Sequence, residues 1–333
     1  MSVLVTGGAG YIGSVTVEEL IKRGEKVVVL DDLSKGHREA VHPSAQFIQG
    51  DIGDETLLNK VITKYAIDSV IHFAAVSLVG ESVQMPKVYY DINLMKSMRL
   101  LNSMIKNNVR NFIFSSTAAV YGEPEHIPIL ESDKTQPVNP YGKSKLFFEQ
   151  ILEDYGKAYG LKYISLRYFN AAGASENYGE DHNPETHLIP IVLDVASGKR
   201  NYVEVYGDDY PTKDGSCIRD YIHIIDLAEA HILALEALRK SRGQACLSPT
   251  NIYNLGNGNG YSVFEVINCV KEVSGKNIPI KIGKRRVGDP SILVASSEKI
   301  KRELGWQPRF PSLKSIIESA YKWKLKYRDG YKN

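Results

Sequence analysis

The chain has 333 residues, 43% hydrophobic and 24% charged, an ordinary globular composition with length enough for more than one lobe. Its net charge of +2 excludes a global field toward nucleic acid or anionic lipid, and no apolar run approaches the roughly 20 residues a membrane span needs. Three cysteines, Cys217, Cys246 and Cys269, lie far apart with no CxxC pair, which argues against a disulfide framework or a zinc site and suits a reducing compartment. The opening "MSVLVTGGAGYIG" has no basic lead or signal-peptide core, so a cytoplasmic protein is expected.

In chain order, a strand is predicted over 2–6, a helix over 12–23, strands over 26–30 and 46–49, a helix over 54–65 and a strand over 69–74. A long helical pattern spans 89–107 and a strand 111–115. Asn139 reads as the N-cap of a helix that has Pro140 in its first position and runs to about Tyr159; a strand over 163–169 follows. Near-continuous apolar strands separated by helices indicate a parallel sheet covered on both faces, a Rossmann-type doubly wound α/β fold. The rhythm weakens after Ala171. There "GASENYGEDHNPETH" is polar and turn-rich, a domain boundary or substrate loop. Helices over 187–197, 226–242, 262–274 and about 312–327 then compose a second, smaller α/β lobe. The basic clusters Lys284-Arg285-Arg286 and 299–302 are short, and the second, with Glu298 and Glu303 beside it, reads as a solvated helix face.

"TGGAGYIGS" stands between the first strand and the first helix. Gly8, Gly10 and Gly13 satisfy GxGxxG; Gly7, Gly10 and Gly13 satisfy GxxGxxG. Either template turns the backbone tightly and lets a pyrophosphate approach the N–H groups of a helix N-terminus. The check on this reading is an acid roughly 20 residues further on, and "VVVLDDLSKG" supplies Asp31 and Asp32. A carboxylate there accepts hydrogen bonds from ribose hydroxyls and repels a 2′-phosphate, so NAD is expected rather than NADP. Asp31 is the better placed; a plain turn is the alternative. In "GDI", Asp51 follows the next strand within range of an adenine amino group, with a surface turn as its rival. Tyr11, Ile12, Ser34, Ile52 and Ala75 flank these positions and are expected in the same site.

"VNPYGKSK" sets Tyr141 four residues before Lys145, on one face of a helix start. A free phenol titrates near 10 and is a poor base at neutral pH. A neighbouring ammonium favours phenolate, so the pair suits a general base that removes a proton from a sugar or alcohol hydroxyl. An exposed Tyr and Lys on an amphipathic helix is the plainer reading. A third member is expected at the end of the preceding strand, where open α/β sheets bind ligands. "NFIFSSTAAVYGE" offers Ser115, Ser116 and Thr117 there, and Thr117 is the choice.

These segments, with "HFAAVSLVGES", "LRYFNAAGA", "HLIPIV", "VYGDDYPTKDGSCIRDYIHIIDLAEAH", "IYNLGNGNGYSV" and "RRVGDP", resemble the extended short-chain dehydrogenase/reductase superfamily over nearly the whole chain. Within it the chain is similar to the UDP-glucose 4-epimerase family, whose more specific signature is the stretch "YGDDYPTKDG…RDYIH". The resemblance implies that Tyr141 is the catalytic base, that Lys145 also holds the nicotinamide ribose, and that Thr117 completes a triad. It implies that Phe73, Ala74 and Tyr168 line the cofactor, and that Thr117, Asn170, His187, Leu188, Glu204, Tyr206, Arg219, Arg286 and Asp289 face a UDP-hexose. The implied activity is isomerisation of UDP-galactose and UDP-glucose by transient oxidation at C4 with tightly bound NAD. The implied organisation is an NAD-binding domain at 1–171 and a UDP-sugar lobe at 172–333, with some return of chain to the first domain. It also implies a homodimer joined through helices 89–107 and 143–159, with no metal and no nucleic-acid or membrane partner.

Two departures stand out. Ser77 occupies a position where some members carry lysine, and "DINLMKS" places Lys96 where glycine is usual. A 4,6-dehydratase would carry Asp-Glu after the triad threonine, where this chain has Ala118-Ala119. Epimerisation of UDP-N-acetylglucosamine or UDP-glucuronate, and an NAD-binding sensor, are the alternatives. Leu293 stands at the position that gates N-acetylated sugars.

Overall fold

The structure, a computed structural model, describes residues 1–240, 251–286 and 289–331; Cys246 and the expected helix end at Arg242 lie outside the described residues. The first half alternates regularly: β1 (Ser2–Thr6), α1 (Tyr11–Lys22), β2 (Val27–Asp31), β3 (Gln46–Gln49), α2 (Glu55–Lys64) and β4 (Ile67–His72). Next come α3 (Val79–Gln84), α4 (Pro86–Tyr90), a π-helical turn (Asp91–Lys96), α5 (Ser97–Lys106), β5 (Asn111–Thr117), α6 (Pro140–Tyr159) and β6 (Lys162–Tyr168). The second half comprises β7 (Asn170–Ala172), α7 (Leu188–Ala196), β8 (Val203–Tyr206), β9 (Ile218–His223), α8 (Ile224–Lys240), β10 (Ile252–Leu255), β11 (Gly260–Ser262) and α9 (Val263–Ser274). It closes with β12 (Ile280–Gly283), β13 (Ile292–Leu293), α10 (Glu298–Leu304) and α11 (Leu313–Lys326).

Seven strands form one sheet in the order β10-β6-β5-β4-β1-β2-β3, all pairs parallel. Every residue of β1 and β2 is buried, as strands covered by helices on both faces require. One core lies between the sheet and α1 and α8, the other between the sheet and the α2, α5 and α6 side. The chain does return after residue 172: β10 pairs with β6 at the sheet edge, and α8 joins the α1 core. The remaining strands build a small sheet in the order β11-β9-β13, with β7 also paired to β9, and a separate β8–β12 pair.

The helix expected over 89–107 is interrupted by the π-helical turn. Its buried centre is Asn93, which accepts the Val76 N–H and donates to the Val76 carbonyl and Ser144 Oγ, each at 3.0 Å. The wider turn thus seats a side chain that ties α6 to the segment after β4. Helix α6 starts as its sequence predicts: Asn139 accepts the Gly142 N–H at 2.8 Å, with Pro140 in the first turn. Its far side is anchored by a buried ion pair. Arg167 on β6 grips both carboxylate oxygens of Glu149, which also accepts the Ser116 hydroxyl.

Candidate active site

The C-terminal ends of β1, β2, β4, β5 and β6 open into one crevice. Gly7 follows β1 with φ +73°, and a side chain there would strike the Ala74 backbone N at 2.5 Å. At Gly13 a Cβ would fall 2.2 Å from the Gly7 carbonyl oxygen. The second glycine template therefore has a geometric cause at both ends. Gly10, by contrast, has its nearest such neighbour at 3.4 Å and leaves its outer side open. It caps α1 without a side-chain bond, and the first turn holds no acidic residue. The N–H groups of that turn form a cradle suited to a pyrophosphate.

Asp31 closes the cradle from β2. Its two oxygens accept the Ala9 and Leu33 N–H groups, both at 2.9 Å. Burial pushes its carboxyl up while those amides pull it down. Each oxygen keeps a lone pair for a ribose hydroxyl. Asp32 and Ser34 are exposed and bonded to each other, the Ser34 N–H to Asp32 Oδ1 at 2.8 Å. Phe73 and Ala74 fold over the glycine turn through N–H bonds to the Thr6 carbonyl of 2.9 and 3.1 Å. Ile52 is buried, and Ile12 and Ala75 are half-buried beside the turn. Tyr11 is buried and donates to the Gly173 carbonyl at 2.6 Å. Asp51 bonds the Gly53 N–H at 2.7 Å and forms an ion pair with Lys96. Burial raises that carboxyl, but Lys96, Gly53 and Arg99 outweigh it and hold it below its ordinary range. The unusual lysine of the π-helical turn thus clasps the acid expected at the adenine end.

The three hydroxyls at the end of β5 are sorted by their partners. Ser115 bonds the Tyr168 hydroxyl, Ser116 donates to Glu149, and Thr117 Oγ1 accepts the Ala119 N–H at 3.1 Å and is the hydroxyl that acts on the Tyr141 phenol. Thr117 is therefore the member that meets the tyrosine, and its strand pairing with Tyr168 fixes it there. Tyr141 and Lys145 are 8% and 3% exposed, which removes the amphipathic-surface reading. The expected tuning differs in one respect. Burial raises the Tyr141 pKa, and the group that lowers it is Thr117. The Lys145 ammonium instead donates to the Ser115 carbonyl at 2.8 Å and lies 4.8 Å from the Phe114 ring centre. Burial lowers it to about 7, opposed by Glu149.

The residues expected to face the sugar nucleotide lie mostly in the second lobe. A cavity of about 270 Å³ is lined by Glu123, Val138, Tyr210, Arg285, Arg286, Asp289 and Pro290. Arg286 stacks on the Tyr206 ring at 4.0 Å, and Arg219 pairs with Asp289. Asn170 donates to the Asp220 carbonyl at 3.0 Å. Leu293 pairs with Arg219 across β13 and β9 and packs beside Ala118 and Phe169. Leu188 begins α7 half-buried, Glu204 is exposed on β8, and His187 turns to Glu180 and Glu185. Sequence reasoning missed Tyr210 and Arg285. Tyr210 lies inside the quoted "YGDDYPTKDG" motif, whereas Arg285 stands in a short basic cluster with no site signal of its own and joins the cavity wall by stacking on Tyr210 at 4.2 Å.

Residues 3–256 match a family described as "NAD dependent epimerase/dehydratase family". This chain belongs to that family. It is 55% identical to the UDP-glucose 4-epimerase of Halalkalibacterium halodurans over 333 residues, covering 99% of this chain and 98% of the relative. A crystal structure of a UDP-glucose 4-epimerase superposes with a TM-score of 0.96 at 48% identity over 100% of both chains. The UDP-glucose 4-epimerase of Brucella ovis, solved in complex with NAD, gives 0.91 at 45% identity, covering 96% of this chain and 97% of that one. The extended short-chain dehydrogenase/reductase fold and NAD as cofactor follow for this chain.

Proposed function

We propose that the chain is a UDP-glucose 4-epimerase that interconverts UDP-galactose and UDP-glucose with NAD held in the crevice. The observation that carries this is the buried Tyr141, with Thr117 acting on its phenol, in a chain that also carries a glycine cradle and a cavity bordered by arginines. Gly7, Gly10, Gly13 and Asp31 would hold the dinucleotide, and Lys145 its nicotinamide ribose. When bound, NAD supplies the acceptor and donor of hydride at the sugar carbon. Tyr141 takes the proton of the 4-hydroxyl as that carbon becomes a ketone and returns it after the sugar has turned its other face. Thr117 holds the hydroxyl proton in line with the phenol. The Thr117 hydroxyl favours the phenolate against the burial that opposes it. Arg219 and Arg286 are placed for diphosphate oxygens, which a guanidinium fork fits. Tight hold on the nucleotide with loose hold on the sugar is what a turn-over at one carbon requires.

The division near residue 171, with NAD before it and UDP-sugar after it, belongs to the same proposal, as does a cytoplasmic location. Among the described residues no helix is long and apolar enough to cross a membrane. A homodimer through the segments 89–107 and 143–159 belongs to it too, and the exposed Met95 and Phe147, one on each segment, support it. Incubation with UDP-galactose and no added cofactor tests the function: UDP-glucose should appear to equilibrium. Absence of any product from NAD-loaded protein would remove the proposal.

A further inference from the structure

The segment between β7 and α7 gathers four donors, of which only His187 was expected to face the substrate and none has a role in the proton transfer. "EDHNPETH" brings one donor atom each from Glu180, His182, Glu185 and His187 within 4.8 Å of one another. Glu180 Oε1 lies 2.7 Å from His187 Nδ1 and 3.1 Å from His182 Nδ1. Glu185 Oε1 lies 3.1 Å from His187 Nδ1, and its Oε2 3.8 Å from His182 Nδ1. Both imidazoles turn the same nitrogen inward, and the two carboxylate side chains are only 8% and 9% exposed.

We propose that these four side chains form a binding site for a divalent transition metal, Zn²⁺ by preference. A tetrahedral zinc ion with bonds of about 2.0–2.1 Å to nitrogen and oxygen spaces its ligand atoms about 3.3 Å apart, and the observed separations bracket that value. Two neutral imidazoles and two carboxylates also balance the charge of one divalent ion. Imidazole with carboxylate is a donor set that suits zinc rather than calcium or magnesium, which take oxygens. Four protein ligands leave no open position, so the ion would be structural rather than catalytic.

The frame around the cluster is already built. The Gly179 N–H donates to the Tyr331 hydroxyl at 3.0 Å, and Asp181 Oδ2 accepts the Tyr331 N–H at 2.9 Å. His37 bonds the Asp181 carbonyl at 2.8 Å, and Tyr11 meets the His182 ring edge-on with centroids 6.1 Å apart. The cluster therefore joins the first residue of the glycine-turn helix to the N-cap of α7. A metal there pins the cofactor half against the substrate half. Cysteine spacing alone had spoken against zinc; the signal for this site is the spacing ExHxxExH, where paired histidines and acids replace thiols.

The test uses the full chain without a polyhistidine tag, stripped with chelator and then equilibrated with Zn²⁺ alone. Elemental analysis after removal of excess ion should find about one zinc per chain, and the melting temperature should rise on loading. The variants His182→Ala and Glu185→Gln, checked as folded by retained NAD, should lose the bound zinc and the thermal shift. Co²⁺ alone should give the intense visible absorption of a tetrahedral site in the wild type. X-ray absorption of the zinc-loaded wild type should read two imidazoles and two oxygens, whatever the variants do. A wild type that takes up no zinc, variants that bind it undiminished, or coordination containing sulfur would overturn the proposal and leave an ion-pair cluster only. None of these readouts depends on the epimerase reading.

Discussion

The two ends of the crevice are built by different physics. At the cofactor end the shape is set by backbone: glycines that admit no Cβ, a buried aspartate fixed by two amides, and strands buried along their length. At the sugar-nucleotide end it is set by long side chains on short strands and loops. Arg285 and Arg286 are exposed and lean on Tyr210 and Tyr206. A backbone-built cradle has little entropy left to lose on binding, whereas ordering long side chains costs about 0.5–1.5 kcal/mol each. The contrast fits a catalyst that keeps its cofactor through every cycle and exchanges its substrate.

The comparison is broken most severely from beneath the rigid end. Glu149→Ala leaves Arg167 buried without its partner and frees α6 from β5, and should cost about 3–5 kcal/mol. Chemical denaturation measures it, and a loss under about 1 kcal/mol would show that the pair does not brace the site. Acid acts on both halves. Burial holds His72 down to about 3, and His223 and His231 to about 4. The unfolded chain takes up protons near pH 6.5 that the folded chain refuses, so this stability is complete above 6.5 and fades as pH falls toward 3–4. Melting curves across that range should show it, and a melting temperature flat down to pH 4 would contradict it.

At the soft end, Arg286→Ala should raise KM for the UDP-sugar about 10–100-fold, the value of a charge-assisted hydrogen bond or two. NAD content should be unchanged; steady-state kinetics with cofactor analysis separates the two. The smallest effect sits on the rim of the rigid end. Lys96→Gly removes the partner of Asp51 and should speed NAD release about 2–5-fold, the scale of a part-exposed ion pair. A release rate equal to wild type in a dilution assay would limit that clasp to local structure.

What the sequence disclosed follows the same divide. The strands were legible because two-face burial makes them continuously apolar, and the α6 start because Asn139-Pro140 is a local cap signal. The glycine cradle was legible because only glycine can stand at Gly7 and Gly13. The π-helical turn was not, since Asn93 is placed by partners at Val76 and Ser144 rather than by its neighbours. Lys96 looked like a loss of glycine until the fold brought it to Asp51. Glu149 and Arg167 carry no local signal of their pairing, since they meet only when α6 packs on β6. Lys145 was expected to govern the phenol. In the structure Thr117 is the group that lowers the phenol and the ammonium is committed to the Ser115 carbonyl, a difference of orientation that spacing cannot express.

The most direct test of the central claim is the turnover of Tyr141→Phe measured beside its bound NAD. Loss of the phenol should lower kcat for UDP-galactose by about 10²–10⁴-fold, with the fold, NAD content and KM close to wild type. A variant that still turns over at the wild-type rate with its dinucleotide in place would contradict the assignment of Tyr141 as the proton carrier.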